Sequence, residues 1–260
     1  MAYRPTLLNL SNIAAFVLMV IVNGLAGSTT LIGGQVTADV SDANFTLITP
    51  AGYVFAIWGI IYLLLAVFVI YQVLPSQQTR AFHKQVGWLF VLSSILNVVW
   101  LFAWQYEQLP LSVLIMFLLL GSLIAIYLRL NVGKTKVSMA ERLAVHVPFS
   151  TYLGWITIAT IANVAGMLVS IDWDGFGIAP EIWAIIIIVI ALVISVLVAV
   201  TRRDIAYSLV IIWAFIGIAA EHSSYQDIVT LTWVSAAVVA VVLMASIIYG
   251  KIREASGGIS

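Results

Sequence analysis

The chain of 260 residues has no cysteine, which removes a disulfide framework and any thiolate metal site from consideration. Charge is also scarce. Asp, Glu, Lys and Arg make up 8% of the residues, and 11 basic side chains cancel 11 acidic ones, so no nucleic acid or polyanion partner is implied. With so little charge and 63% hydrophobic residues, the chain cannot cover the surface of a soluble globule, and it reads as an integral membrane protein. The apolar runs lack the short alternating pattern of transmembrane β-strands. None of them carries Asp, Glu, Lys or Arg near its middle, which leaves no candidate for a proton relay, an ion-coupling site or a voltage sensor. Every Lys lies in a loop or tail, so retinal cannot be tethered as a Schiff base. Ser and Thr inside the runs have no His partner, and no nucleophile stands with a base and an orienting group.

What the sequence does contain is eight apolar runs, at 8–26, 50–74, 86–105, 110–130, 144–169, 181–200, 205–220 and 227–250. Most are near the ~20 residues that cross a bilayer as a helix, so the expected class is an all-α polytopic membrane bundle of about eight transmembrane helices. The first run is read as a span and not a signal peptide, because polar Asn9, Ser11 and Asn12 interrupt its start. Cut this way, the chain sorts its cations. Arg4, Arg80, Lys84, Arg129, Lys134, Lys136, Arg142, Arg202, Arg203, Lys251 and Arg253 all fall on one side, and the four opposite loops carry neither Lys nor Arg. The positive-inside rule then predicts a multi-pass protein of the cell (inner) membrane with both termini cytoplasmic.

Most connections are short, as in a bundle of antiparallel neighbours. The exception is Gly27 to Thr49, 23 residues on the outer side, rich in Gly, Thr, Ser and Asp, which is either a lid or a flexible connector. Composition shifts near residue 175. Spans two to five hold Trp58, Trp88, Trp100, Trp104 and Trp155, whereas span six is almost pure Ile, Val, Leu and Ala. The expected organisation is a five-helix ligand-binding core over 1–172 and a three-helix transmembrane extension over 173–260, with a core that folds alone if the chain is cut near residue 172.

Three clusters sit toward the outer half of the membrane. Trp58 and Tyr62 are four apart on span two, which Pro50 is expected to open. Asn97, Trp100 and Trp104 share a face of span three, and Pro148, Tyr152, Trp155, Ala159 and Asn163 form a stripe on span five. Counted at ~1.5 Å per residue, Trp58 and Asn97 lie about 12 Å deep, Asn163 about 9 Å and Trp155 about 21 Å. One account is a pocket of aromatic walls, with small residues leaving room for a flat apolar ligand and the two Asn giving directed hydrogen bonds. The other is helix glue with interfacial Trp anchors. Trp58 and Trp155 are too deep for an interfacial belt.

The stretches Thr49 to Tyr62 (TPAGYVFAIWGIIY), Leu96 to Trp100 (LNVVW) and Tyr152 to Asn163 (YLGWITIATIAN) resemble signatures of the tryptophan-rich sensory protein and translocator protein family, formerly the peripheral-type benzodiazepine receptors. The likeness covers roughly residues 1 to 170. It implies a five-helix fold with a pocket beneath the loop joining the first two helices, which takes porphyrins, haem-like tetrapyrroles, sterols and synthetic aromatic ligands. Trp155 and Ala159 match the family's pocket residues, and Trp58, Tyr62, Asn97, Trp100 and Asn163 match its motif positions. With Trp104 and Tyr152 they complete the expected ligand-binding set. The sequence departs from the family at Gly52, at Trp104, and at Ser112 and Met116, where a smaller and less polar wall is expected. The last three helices lie outside the classical pattern, though longer bacterial relatives also look like this, so the chain resembles a long bacterial-type member with extra C-terminal helices.

The leading expectation is a membrane receptor or sensor for a hydrophobic planar ligand, a porphyrin or haem, with no cofactor required. Its partners are the lipid bilayer, the small ligand and a second copy in a homodimer. The alternatives are a facilitative carrier of tetrapyrroles and a porphyrin-degrading enzyme using the same pocket. Trp155→Ala and Asn97→Ala are expected to weaken binding without unfolding the bundle. His146 reads as a solvated interfacial residue, Glu221 and His222 as too few groups for a metal, and Arg202, Arg203 and Asp204 as anchors of helix ends.

Overall fold

The computed structural model describes residues 6–257, and among these the regular structure is helical throughout. Six segments are long and apolar enough to cross a membrane, and two apolar helices of 17 residues, at Leu89–Gln105 and Ile205–Glu221, are shorter. At ~1.5 Å per residue such a helix reaches about 25 Å, so both need adjoining turns to traverse the hydrocarbon core.

The chain divides into two compact units. The first holds residues up to Thr46 and from Phe55 to Trp173, and the second holds Leu47–Val54 together with the chain from Asp174 onward.

In the first unit, α1 (Leu7–Ser28) starts where Thr6 Oγ1 accepts the Asn9 amide at 3.2 Å. The long loop is not featureless. It folds a two-turn helix, α2 (Thr37–Ala43), whose Asp39 carboxylate accepts the Val36 amide at 3.0 Å. Pro50 does not open the second spanning helix as the sequence suggested. A 3-10 turn, Gly52–Ala56, comes first, and the α-helical part, α3, is Ile57–Tyr71. The third span is likewise broken, because Gly87 at φ +51 separates α4 (Phe82–Val86) from α5 (Leu89–Gln105). After α6 (Leu109–Leu130), the short α7 (Met139–Glu141) runs through a π turn, Arg142–His146, into α8 (Val147–Ser170). Pro148 explains the wide turn: it has no N–H to offer the Ala144 carbonyl one turn back. Helix α5 packs on α6, α1 and α2, and α8 packs on α6 and α3.

In the second unit, α9 (Pro180–Arg202), α10 (Ile205–Glu221) and α11 (Gln226–Gly257) pack on one another. The buried stripe of α9 is mostly small, Ala184, Ile188, Ala191, Ser195 and Ala199, at spacings of three and four. Its other faces expose Ile182, Ile186, Val189, Ile190, Val193, Leu197 and Val200, as expected of a helix turned to lipid. Asp204 caps α10, accepting the Tyr207 amide at 3.2 Å.

Candidate functional site

Four residues of helix bring the Trp58 and Tyr62 rings one above the other on α3, stacked at 5.7 Å between centroids and 21° between planes. The Trp58 ring also stacks on Trp100 of α5 at 6.3 Å and 27°. It meets two rings of α8 edge-on, Tyr152 at 6.2 Å and Trp155 at 6.0 Å. Phe55, in the turn ahead of α3, stands edge-on to Trp155 at 5.8 Å, and Trp100 stacks on Trp104 at 5.9 Å. Trp58 is thus the hub of one aromatic cluster drawn from α3, α5 and α8, all within the first unit. These separations are those of rings in mutual contact. The faces that a planar guest would use are therefore stacked on one another, where the sequence suggested small residues would leave room.

Both predicted asparagines are buried and fully engaged with other helices. Asn97 donates Nδ2 to the Tyr152 hydroxyl at 3.0 Å and accepts from Asn23 Nδ2 at 2.7 Å. Asn163 accepts the Trp100 indole N–H at 2.9 Å and donates Nδ2 to Ser112 Oγ at 2.9 Å. Glue and aromatic cluster coexist: the amides tie α1, α5, α6 and α8 together, and the rings fill the space between. Ser112 of α6 joins this buried network directly. Met116 beside it is wholly buried. Ala159 lies one turn beyond Trp155, half-buried, and offers no polar group.

Two of the seven buried side-chain atoms without a hydrogen-bond partner among the described residues belong to this cluster, the Trp155 indole N–H and the Tyr62 hydroxyl. A buried donor without an acceptor costs about 1–3 kcal/mol.

Beyond the cluster, the loop between α1 and α3 is fastened to the end of α5. Trp104 Nε1 donates to the Thr37 carbonyl at 3.2 Å, and Gln105 Nε2 donates to the carbonyl of Gln35 at 2.8 Å. Gln35 Nε2 in turn reaches Glu107 Oε1 at 2.8 Å. Gly33, at φ +72, lies so close to the Gln105 carbonyl that a Cβ would overlap it. Residues 29–46 are therefore a structured segment fastened to α5, as a lid would be, not a flexible connector.

Sequence reasoning missed several of these groups. Asn23 continues a stripe with Asn9, Asn12 and Met19 at helical spacing, a detectable signal of a buried polar face. Asn9 and Asn12 use that face to reach the end of α3, donating to the Gln72 carbonyl at 3.3 Å and to Gln72 Oε1 at 2.8 Å. Arg80 pairs with buried Glu141, its Nε donating to Oε2 at 3.0 Å, and that hydrogen bond raises the guanidinium pKa further above its ordinary value. His83 is pulled below its ordinary value by burial, partly offset by the Gln77 carbonyl. His146 is buried in the π turn and not solvated as expected, and His222 is also buried, with Nε2 3.0 Å from the Thr49 carbonyl.

A family model described as "TSPO-like protein" matches residues 9–248. The likeness thus runs well past residue 170, through α9 and α10 and most of α11, so the matched family includes the last three helices. No curated protein and no solved structure matches the chain.

Proposed function

Because the chain belongs to the TSPO-like protein family, we propose that it is a membrane receptor or sensor for a planar hydrophobic ligand of the tetrapyrrole type, bound at the Trp58 cluster beneath the lid. The observation that carries this reading is the pair of unsatisfied donors, Trp155 Nε1 and Tyr62 Oη, among stacked aromatic faces. A ligand with a flat π surface and a hydrogen-bond acceptor meets both demands, and it takes its place by parting Trp58 from the rings it stacks on. The half-buried Trp58 and Tyr62 are the walls able to move, since Tyr152 and Trp155 are wholly or almost wholly enclosed. No cation belongs to the cluster, so the carboxylates of a porphyrin would stay in water outside it. The one-sided distribution of Lys and Arg supports cytoplasmic termini and an outward-facing lid.

The test is titration of purified protein with protoporphyrin IX. A saturable shift of its Soret band is expected, weakened about tenfold in Trp155→Phe, which keeps an aromatic ring, smaller than the indole, and removes the N–H. A wild-type protein without porphyrin affinity overturns the reading. Progressive bleaching would favour catalysis, and flux into vesicles would favour a carrier.

A further inference from the structure

The octapeptide Leu47–Val54 follows the lid directly in sequence and ends within the turn Gly52–Ala56, which carries Phe55 and leads on to Trp58 of α3, yet it belongs to the second unit. It is held there along its length by one helix. At its start, the Thr49 carbonyl accepts from His222 Nε2 at 3.0 Å. In the middle, the Ala51 amide donates to the Gly217 carbonyl at 3.1 Å. At its end, the Val54 carbonyl accepts from the Trp213 indole at 3.2 Å, while Tyr53 packs edge-on to the Trp213 ring at 5.3 Å. Gly217 is what lets the backbones meet, because a Cβ there would overlap Val54 Cγ2 and stand 3.3 Å from Pro50 Cβ. Ile48, Ala51 and Val54 are buried as a result. Three bonds to main-chain groups spaced over one octapeptide, two from side chains and one from the Gly217 carbonyl, make a built seat for the strap.

We propose that α10 is a latch on the lid: the three-helix unit holds the strap at the lid's C-terminal root, and release of the strap frees the lid to lift. The consequence for ligand access rests on the function proposed above, whereas the latch itself does not. The absence of native cysteine gives a direct test, since an introduced thiol is the single labelling site in the full-length protein. Val54→Cys reports on the strap and Val40→Cys, buried on α2, reports on the lid. Maleimide labelling of each is compared with and without Trp213→Phe, which keeps a smaller aromatic ring against Tyr53 and removes the bond to Val54. His222→Ala, which removes the bond to Thr49, is a second way to release the strap. Labelling at both sites is expected to accelerate about tenfold, the loss of one buried hydrogen bond. Acceleration at Val54→Cys with Val40→Cys unchanged overturns the latch, and so does no acceleration at either. No porphyrin is needed, so a failed titration leaves this result standing.

Discussion

At the scale of single residues, the buried amides do more than the sequence suggested. Asn97 bridges Asn23 and the Tyr152 hydroxyl, so Asn97→Ala strips a donor from Tyr152 and an acceptor from Asn23 inside the bundle. The wholly buried Tyr152 hydroxyl loses its donor at a cost of about 1–3 kcal/mol, while half-buried Asn23 keeps its bond to the Met19 carbonyl at 2.8 Å, and the variant is therefore expected to melt below wild type in detergent, not merely to bind more weakly. An unchanged melting temperature would mean that water or a rotated side chain replaces the lost partner. His222 gives a pH dependence with a defined sign. Burial pulls its imidazole below the ordinary value near 6.5, and the Thr49 carbonyl and the Glu221 charge restore only part of that. The released imidazole then takes up protons at a higher pH than the seated one. Its contribution to stability is thus fully present above about 6.5 and is lost as pH falls through the lower folded value. Thermal melting should decline over that acid range, and His222→Gln should flatten the decline. His83, lowered in the same direction by burial, contributes with the same sign and is left intact by that substitution.

At the scale of elements, the lid provides the sharpest comparison. Gly33 and Gly34 both have positive φ, but only Gly33 lies against the Gln105 backbone, and a Cβ on Gly34 meets nothing within 4 Å. Ala at either position carries the cost of a left-handed backbone, whereas Gly33→Ala must also push the lid away from α5. Hydrogen exchange over residues 29–46 should therefore rise much more in Gly33→Ala than in Gly34→Ala, with α5 and α8 unaffected. Equal effects would reduce the latch to backbone strain. The helices were legible in the sequence because apolar length dominates any membrane span, and the aromatic cluster was legible because Trp58 and Tyr62, or Trp100 and Trp104, repeat at helical spacing. What local pattern could not reveal were features set by distant partners. Pro50 looks like a helix opener until the Ala51 amide is committed to Gly217. Glu141 looks like a loop acid until Arg80, 61 positions away, reaches it. The lid helix α2 has too few apolar residues to announce itself, and it is held by Trp104 and Gln105, which seemed to belong wholly to a span.

At the scale of the whole molecule, the division of the chain decides what truncation can remove. Ending the protein after Trp173 keeps every ring of the Trp58 cluster and all the amide bridges, since these lie within the first unit. It also deletes each partner of Leu47–Val54: the Gly217 carbonyl, the Trp213 indole and the His222 imidazole. The strap would keep Ile48, Ala51 and Val54 but lose the surface that buries them, and three backbone groups would lose their hydrogen bonds. A helical product is expected, with a melting temperature below that of the full chain and with rapid proteolysis confined to residues near 47–54. Coexpressing residues 174–260 as a separate chain should restore protection of that segment, because the seat is carried entirely by the second unit. A truncated protein as stable and as protease-resistant as the full chain would show that the strap needs no seat, and the three last helices would then have to act elsewhere.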